Sequence, residues 1–429
     1  MANPKFQAPR GTKDILPQEE GYWQFVHNTF TEVTGLAGFG RIQTPVFEPT
    51  ELFERGVGKS SDIVRKEMYT FKDKSDNSLT LRPEGTAPVM RAYIEHGMQS
   101  WPQSVKLAYF ESMYRYERPQ AGRYREHWQI GAELIGEQAP FADCQVIALA
   151  LRIYEKLGLQ NLSLQLNSLG DEKCRPKYLK ELVKYLGPHQ KSLCEDCRER
   201  YKLNPLRVLD CKEDKCQAII AESPTMLDHL CKDCHGHFKE VLEYLDELDI
   251  VYEINPRIVR GLDYYTRTLF EVWGHAGSGS ALGGGGRYDK LMKEIGGPDI
   301  PAVGFGAGVE RLIEELKLQK VLPPPGPRPQ VFVANLGDSA RKRCYKIIEH
   351  LLSEGVGAVG KLDKGSIKAQ LRSADKLGVP LAVIIGQKEV FDNTAIIRDM
   401  KSGAQEVAGL NVLAKKIKRK LEIAAQPSD

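Results

Sequence analysis

Arg260 opens the run RGLDYYTRTLFEV, which otherwise reads as a buried strand with two tyrosines, Tyr264 and Tyr265, in its middle. A charge in such a run is costly to desolvate unless it meets its opposite. Arg260 is therefore either salt-bridged for structure or placed to receive an anionic ligand. A second cluster, YRYERPQAGRYREHW from Tyr114 to Trp128, carries six Arg and Glu residues, four of them arginines, between Arg115 and His127. Such a run is commonly an exposed hairpin tip. But Arg115 and Glu117 stand at i and i+2, a spacing that puts strand side chains on one face. An arginine–carboxylate pair beside further arginines can grip a triphosphate together with an amine-bearing base.

Two glycine-dense stretches follow, GSGSALGGGGRYDKL from Gly277 and GFGAGVERL from Gly304. Neither is a phosphate-binding P-loop, because no G-K-[ST] follows, and neither has the G-x-G-x-x-G offsets. They either allow close backbone packing or form a floor for a flat or phosphorylated ligand, with Arg311 at the start of the next helix. In TLRPEGT, Thr80 to Thr86, Glu84 precedes a helix and can cap it or bind an ammonium group. Cysteines form a fourth constellation: Cys194-x-x-Cys197, Cys211-x4-Cys216 and Cys231-x-x-Cys234, followed by His235 and His237. The two C-x-x-C pairs have zinc spacing, with Cys194, Cys197, Cys231 and Cys234 as the candidate ligand set. The alternative is a set of packed cysteines in a segment that folds without metal.

These residues need elements to hold them. EEGYWQFVHNTFTEVTGLAGFG has helical spacing and ends in glycines. Strand-like runs follow: SLTLRPEG, VKLAYFESMYRYER, HWQIGAELIG, LSLQLNSLG, IVYEINPRIVRGLDYYTRTLFEV and PAVGFGAG. Their long, uneven connections predict an α+β domain on a large, mainly antiparallel sheet, spanning residues 1–325. Residues 171–245, lysine- and cysteine-rich and helical, interrupt the strand series as an insertion. VLPPPGPRPQ is a linker, since five prolines and a glycine continue neither helix nor sheet. Beyond it, strands alternate with helices and predict a small, mostly parallel α/β domain within 326–429.

Composition sets the bounds. A chain of 429 residues with 41% hydrophobic and 27% charged content is an ordinary globular protein of two or three domains. No apolar run reaches the roughly 18 residues of a membrane span. The start, MANPKFQAPRGTKD, lacks the apolar core of a secretory signal, so a cytoplasmic location is expected and the nine cysteines read as thiols or metal ligands, not disulfides. Residues 331–429 hold 17 Lys/Arg against 11 Asp/Glu, or +6, which leaves −3 for the rest of a chain whose net charge is +3. A basic last third is either a solvated helix face or a surface for a polyanion.

Taken together, RYERPQAGRYR, GFGAGVERL and GRIQTPVFEP resemble the three signature motifs of class II aminoacyl-tRNA synthetases, and RGLDYYTRTLFEV with GGGGRYDKL resembles one member family, the bacterial-type histidyl-tRNA synthetases. The similarity runs over essentially the whole chain. It implies a class II catalytic fold, an anticodon-binding C-terminal domain, a homodimer, and no membrane partner. It also implies a reaction: L-histidine and ATP, the latter with Mg2+, give histidyl-adenylate and pyrophosphate, and the histidyl group passes to the terminal ribose of tRNA(His).

The resemblance further implies roles. Arg260 would lie against the α-phosphate and the histidine carboxylate, where other class II enzymes use a metal ion. Arg115 would hold the α-phosphate and Arg311 the γ-phosphate end of a bent ATP. Glu117 and Arg123 would serve the nucleotide. Glu84, Gly85, Thr86 and Gln129 would bind the α-amino end of histidine. Glu133 and Tyr265 would hold the imidazole nitrogens, with Tyr264 beside them. The family has a phenylalanine that stacks on adenine where this chain has His127, so either His127 or Trp128 takes that place. Many members lack the cysteines and their catalysis needs no zinc, so the resemblance disfavours a structural zinc that the spacing favours. Two other readings remain: a non-catalytic, histidine-sensing regulatory subunit of ATP phosphoribosyltransferase, and an RNA-binding translational regulator. Retention of Arg115, Arg260, Arg311 and a basic final domain weighs against the first, and the histidine pocket against the second.

Overall fold

The computed structural model describes residues 6–117, 124–274, 281–361 and 366–425. The chain divides into two compact units between Pro324 and Pro325, inside the proline-rich run.

The first unit is built on an eight-stranded sheet of β1 Gly40–Arg41, β2 Val105–Tyr114, β3 Glu126–Ile135, β4 Ser163–Ser168, β5 Glu253–Ile254, β6 Thr266–Trp273, β7 Ala281–Arg287 and β8 Ala302–Gly308. Their spatial order is β1-β2-β3-β8-β7-β6-β4-β5. The six central strands pair antiparallel, and the edge pairs β1·β2 and β4·β5 are parallel. The run SLTLRPEG does not join this sheet. Ser78–Leu81 is the middle strand of a separate three-stranded sheet with Phe47–Pro49 and Thr70–Lys72.

The two faces of the large sheet differ because strand side chains alternate. Ile130, Ala132, Leu134, Phe270, Val272, Val303, Phe305 and Ala307 point into one core, with the helices Pro17–Leu36, Phe141–Lys156, Lys232–Glu247 and Val309–Leu318. The first of these helices buries Trp23, Val26, Phe30 and Val33, a stripe at helical spacing. The opposite face carries Tyr109, Met113 and Leu269 and packs against the insertion.

The helices are tied to the sheet by a buried charge cluster. Arg287, at the end of β7, is fully buried and donates through Nε to Asp143 Oδ2 at 3.1 Å and through Nη1 to the Glu137 carbonyl at 2.9 Å. Asp143 also faces His237 Nε2 at 3.4 Å. Burial works against the Asp143 charge, but Arg287 and His237 outweigh it and hold the carboxyl down to about 2. Its folded-state value lies below its unfolded one, so this stabilisation is present above about pH 4 and is lost as pH falls through about 2. Arg287→Ala strands a buried carboxylate and is expected to cost about 3–5 kcal/mol. Urea denaturation measures it, and an unchanged midpoint would mean that the cluster contributes nothing.

In the second unit, β9 Val331–Asn335, β10 Ala358–Val359, β11 Leu381–Ile385, β12 Thr394–Asp399 and β13 Gln405–Gly409 form a sheet in the order β10-β9-β11-β12-β13. The expectation of a mostly parallel sheet needs correction. β9 pairs parallel with β10 and β11, but β11·β12 and β12·β13 are antiparallel. For β12·β13 the reason is local: a short turn through Lys401–Gly403, with Gly403 at φ 74°, returns the chain as β13 without a crossover helix. Among the described residues no helix is long and apolar enough to cross a membrane.

Candidate active site

Arg260 is not in a strand. The expected strand run is broken from Asn255 to Tyr265, and Arg260, Tyr264 and Tyr265 sit on the irregular segment that leads into β6. Gly261 and Asp263, both turn formers, account for the break. Nor is Arg260 unpaired: Nη1 donates to Glu271 Oε1 at 3.1 Å. It is therefore salt-bridged, and the same guanidinium also lines a cavity of about 350 Å³. Burial works against its charge, while Tyr265 and Glu271 act the other way and prevail, so its pKa is raised.

That cavity brings together Arg115, Arg200, Arg207, Arg260 and Arg311 with Glu117, His127, Gln129 and Glu271. Arg115 and Glu117 lie just past the end of β2, yet reach the same space, with Nη1 and Oε1 3.9 Å apart. Arg115 Nε donates to the Pro83 carbonyl at 2.7 Å, and Arg311 Nη1 to the Ala281 carbonyl at 2.7 Å, so the carbonyls fix where both guanidinium groups point. Arg123, expected among the nucleotide residues, and Gly277 lie outside the described residues.

The pleat of β3 turns His127 and Trp128 to opposite faces. His127 faces the cavity. Trp128 faces the opposite core, its ring 5.3 Å from Phe110 and 6.2 Å from Trp23, while its backbone N–H donates to both carboxylate oxygens of Glu310 at 3.1 Å. Burial pushes His127 down to about 3, and Arg115 and Arg311 add to the shift, so the ring is neutral at ordinary pH. Its Nδ1 is buried and has no hydrogen-bond partner among the described residues.

A smaller recess of about 40 Å³ opens beside the cavity and shares Arg115, Gln129, Arg260, Leu262 and Gly306 with it. Its other walls include Glu84, Thr86, Tyr109, Tyr264, Tyr265 and Tyr288. Glu84 accepts from the backbone N–H groups of Thr86 at 2.8 Å and Ala87 at 2.9 Å, so it does cap the helix Thr86–Glu95. A carboxylate has about four lone-pair sites, which leaves capacity toward the recess. Burial raises its pKa against those two bonds.

Glu133 lies behind the recess. It accepts from Thr86 Oγ1 at 2.9 Å, from the Tyr109 hydroxyl at 3.3 Å, and from the Tyr288 hydroxyl in close contact. Gly304, its cross-strand neighbour on β8, is glycine for a reason of space: a Cβ there would collide with the Glu133 carboxylate. Burial raises Glu133 to about 8, against the pull of the Tyr288 and Thr86 hydroxyls.

Sequence reasoning missed Glu271, Tyr109 and Tyr288. Tyr288 and Glu271 lie inside stretches already singled out, and the period-2 alternation of β6 places Glu271 on the face of Leu269. No local signal marks Tyr109. The proposed zinc set is also corrected. Cys194 and Cys197 group with Cys211 and Cys216, whereas Cys231 and Cys234 group with Cys174 and Asp171. His235 and His237 belong to neither group, and His237 is turned to Asp143.

With this geometry in view, comparison with known proteins is decisive. A family model described as histidyl-tRNA synthetase matches residues 11–171 and 193–312, and one described as an anticodon binding domain matches 330–420. The chain belongs to the histidyl-tRNA synthetase family. A histidine–tRNA ligase of Dehalococcoides mccartyi is 47% identical over 417 residues, covering 97% of this chain and all of the relative. Another, from Desulforamulus reducens, is 47% identical and covers 96% of this chain and 98% of the relative. The crystal structure of apo S. aureus histidyl-tRNA synthetase superposes with a TM-score of 0.81 at 36% identity, covering 96% of this chain and all of that one. A Bacillus halodurans structure titled as an ATP phosphoribosyltransferase regulatory subunit/histidyl-tRNA synthetase has a TM-score of 0.65 at 23% identity, covering 90% of this chain and 99% of that one, a likeness of fold alone. The large sheet is thus the class II synthetase sheet, and the second unit is the anticodon-binding domain of this family.

Proposed function

We propose that the chain activates L-histidine with ATP to histidyl-adenylate and pyrophosphate, and transfers the histidyl group to tRNA(His). The observation that carries this reading is the pair of joined spaces. One is lined by arginines and suits a triphosphate; the other is lined by tyrosines and the Glu84 carboxylate, with Glu133 behind it, and suits a small polar amino acid; Arg115, Gln129 and Arg260 stand where they meet. A histidine carboxylate in the recess and an ATP α-phosphate in the cavity would come together at those residues. The carboxylate oxygen attacks phosphorus, the bond to the bridging oxygen breaks, and pyrophosphate leaves. Negative charge on the α-phosphoryl oxygens would face Arg260 and Arg115, fixed donors that need no reorganisation.

ATP enters as its Mg2+ complex. Arg311 would meet the γ-phosphate end, Glu117 would face the nucleotide, and the neutral His127 ring would take the place of an adenine-stacking aromatic. In the recess, Glu84, Thr86 and Gln129 would meet the ammonium group. Tyr265 and Glu133 would meet the imidazole, with Tyr264 and Tyr288 as walls. A polar pocket of this kind rejects apolar isosteres, because its buried groups would be left unmatched. Histidine-dependent ATP–pyrophosphate exchange and charging of tRNA(His) test the proposal, and exchange driven equally by another amino acid would refute it.

Glu133→Gln separates substrate recognition from support. It is expected to raise the KM for histidine far more than that for ATP, and equal damage to both would mark Glu133 as scaffold. It also has a pH signature. The folded pKa of about 8 lies above the unfolded value, so stability from this group is present below about pH 4.5 and is lost as pH rises through 8. The variant should therefore melt progressively higher relative to the parent between pH 5 and pH 9.

A further inference from the structure

We propose that the insertion holds two separate structural zinc ions, one on Cys194, Cys197, Cys211 and Cys216 and one on Asp171, Cys174, Cys231 and Cys234, and that the two metal sites brace the segment bearing Arg260 and Tyr265. In each group, one ligand atom from every residue lies within 4.8 Å of all the others. That is the spread of one four-coordinate ion, since Zn–S bonds of about 2.3 Å put two tetrahedral thiolates about 3.8 Å apart. Cys194 Sγ and Cys211 Sγ are 3.8 Å apart. In the second group, Asp171 Oδ1 is 3.4 Å from Cys174 Sγ and 3.8 Å from Cys231 Sγ, as expected where a carboxylate oxygen at about 2.1 Å replaces one thiolate. Six of the seven cysteines in the two groups are paired with another ligand at x2 or x4 spacing within the sequence, and the seventh, Cys174, follows Asp171 at that same x2 spacing.

Local structure suits thiolates. Cys174, Cys194 and Cys231 each stand at the N-cap of a helix, Arg175–Leu186, Glu195–Leu203 and Lys232–Glu247, where the end of the helix favours negative charge. Backbone N–H groups reach the sulfurs: Cys197 to Cys194 Sγ at 3.4 Å, Cys194 to Cys216 Sγ at 3.2 Å, and Asp171 to Cys174 Sγ at 3.3 Å. Four protein ligands apiece leave no open position, so these are closed, structural sites.

The metal sites fix the residues that hold the substrate segment. Arg175, next to Cys174, donates through Nη2 to the Tyr265 carbonyl at 2.6 Å. Between Cys197 and Cys211, Arg207 donates through Nη1 to the Arg260 carbonyl at 2.8 Å, and Asn204 donates to Asp263 Oδ1 at 2.9 Å. Arg200 and Arg207 share Asp62 at 2.8 and 3.1 Å. The substrate segment is thus gripped from both ends by side chains whose own positions depend on the two clusters.

Elemental analysis of full-length protein purified without chelators should find two zinc ions per chain, and denatured, unreduced protein should show all nine thiols. Cys216→Ser and Cys234→Ser should each leave one zinc, and the double variant none. If a variant does not fold, stepwise thiol modification of the parent, with a chromogenic zinc chelator, should still release two ions. One ion or none, iron in place of zinc, missing thiols, or loss of all metal in either single variant would overturn the two-site assignment. The brace rests on the proposed reaction and is read separately: each single variant that keeps its fold should raise the KM for histidine several-fold, and unchanged kinetics with one zinc lost would overturn the brace while leaving the metal sites standing.

Discussion

Arg260→Ala is expected to lower adenylate formation by roughly 10³–10⁵-fold, the range seen when an arginine is removed from a phosphoryl-transfer site. The fold should survive. Glu271, the partner left behind, keeps the Trp273 indole N–H on its other oxygen at 3.0 Å and is part of a water-accessible cavity. Arg260→Lys should recover little, since an ammonium is a point charge and cannot span Glu271 and a phosphate at once as a planar fork does. Glu271→Gln is the informative control. It keeps an acceptor for Arg260 but removes a charge, so it should affect exchange much less than loss of the guanidinium. Pre-steady-state adenylate formation and pyrophosphate exchange measure all three, and near-parental exchange by Arg260→Ala would remove the residue from the chemistry.

How far such a site can be read from sequence depends on the distance over which its contacts act. The strand alternation in HWQIGAELIG was legible, and it is what sends Gln129 and Glu133 to one face of β3 and Ile130, Ala132 and Leu134 to the other. The same alternation, applied to His127 and Trp128, separates them, although the resemblance alone left both open. What local pattern could not give were pairs made by the fold. Tyr109 and Tyr288 meet at Glu133 across 24 and 155 residues of chain. Glu271 meets Arg260 only because the chain between them breaks out of the strand.

The cysteines make the same point in a different chemistry. Two C-x-x-C pairs invite the inference that they share an ion, and in many zinc domains they do. Here each pair sits at its own helix N-terminus and finds its partners elsewhere: Cys211 and Cys216 for one, Asp171 and Cys174 for the other. The Asp-x-x-Cys spacing was visible, but a carboxylate does not announce itself as a ligand. The sheet of the second unit was misjudged for a related reason. Strand QEVAG follows a five-residue connection that a helix-by-strand alternation does not anticipate.

Ending the chain at Pro324 is expected to leave adenylate chemistry intact while charging of tRNA(His) collapses. The first unit holds every residue placed here at the histidine and ATP sites. Each unit also has its own core, the second built on Val331, Val333, Ile347, Leu351, Val383 and Ile417. The cut therefore removes a folded body and not part of one. What is lost is the basic surface and whatever reads anticodon bases, since RNA sequence is read mostly in single-stranded loops. The terminal helix shows how that surface is balanced: Leu413, Ala414 and Ile417 face the core, while Lys418 pairs with Glu354 at 2.9 Å and Lys420 with Glu406 at 3.5 Å. Exposed pairs of this kind are worth about 0–1 kcal/mol, so a tRNA phosphate competes with them easily. Each phosphate contact contributes about 0.7–0.9 to the slope of log K against log salt. Intact protein should therefore lose tRNA affinity steeply between low and moderate salt, and the truncated form should show a shallower slope as well as weaker binding. Filter binding across a salt series and a single-turnover transfer assay give the two readouts. Normal charging by the truncated form with an unchanged salt slope would exclude the last hundred residues as the site where the anticodon is held.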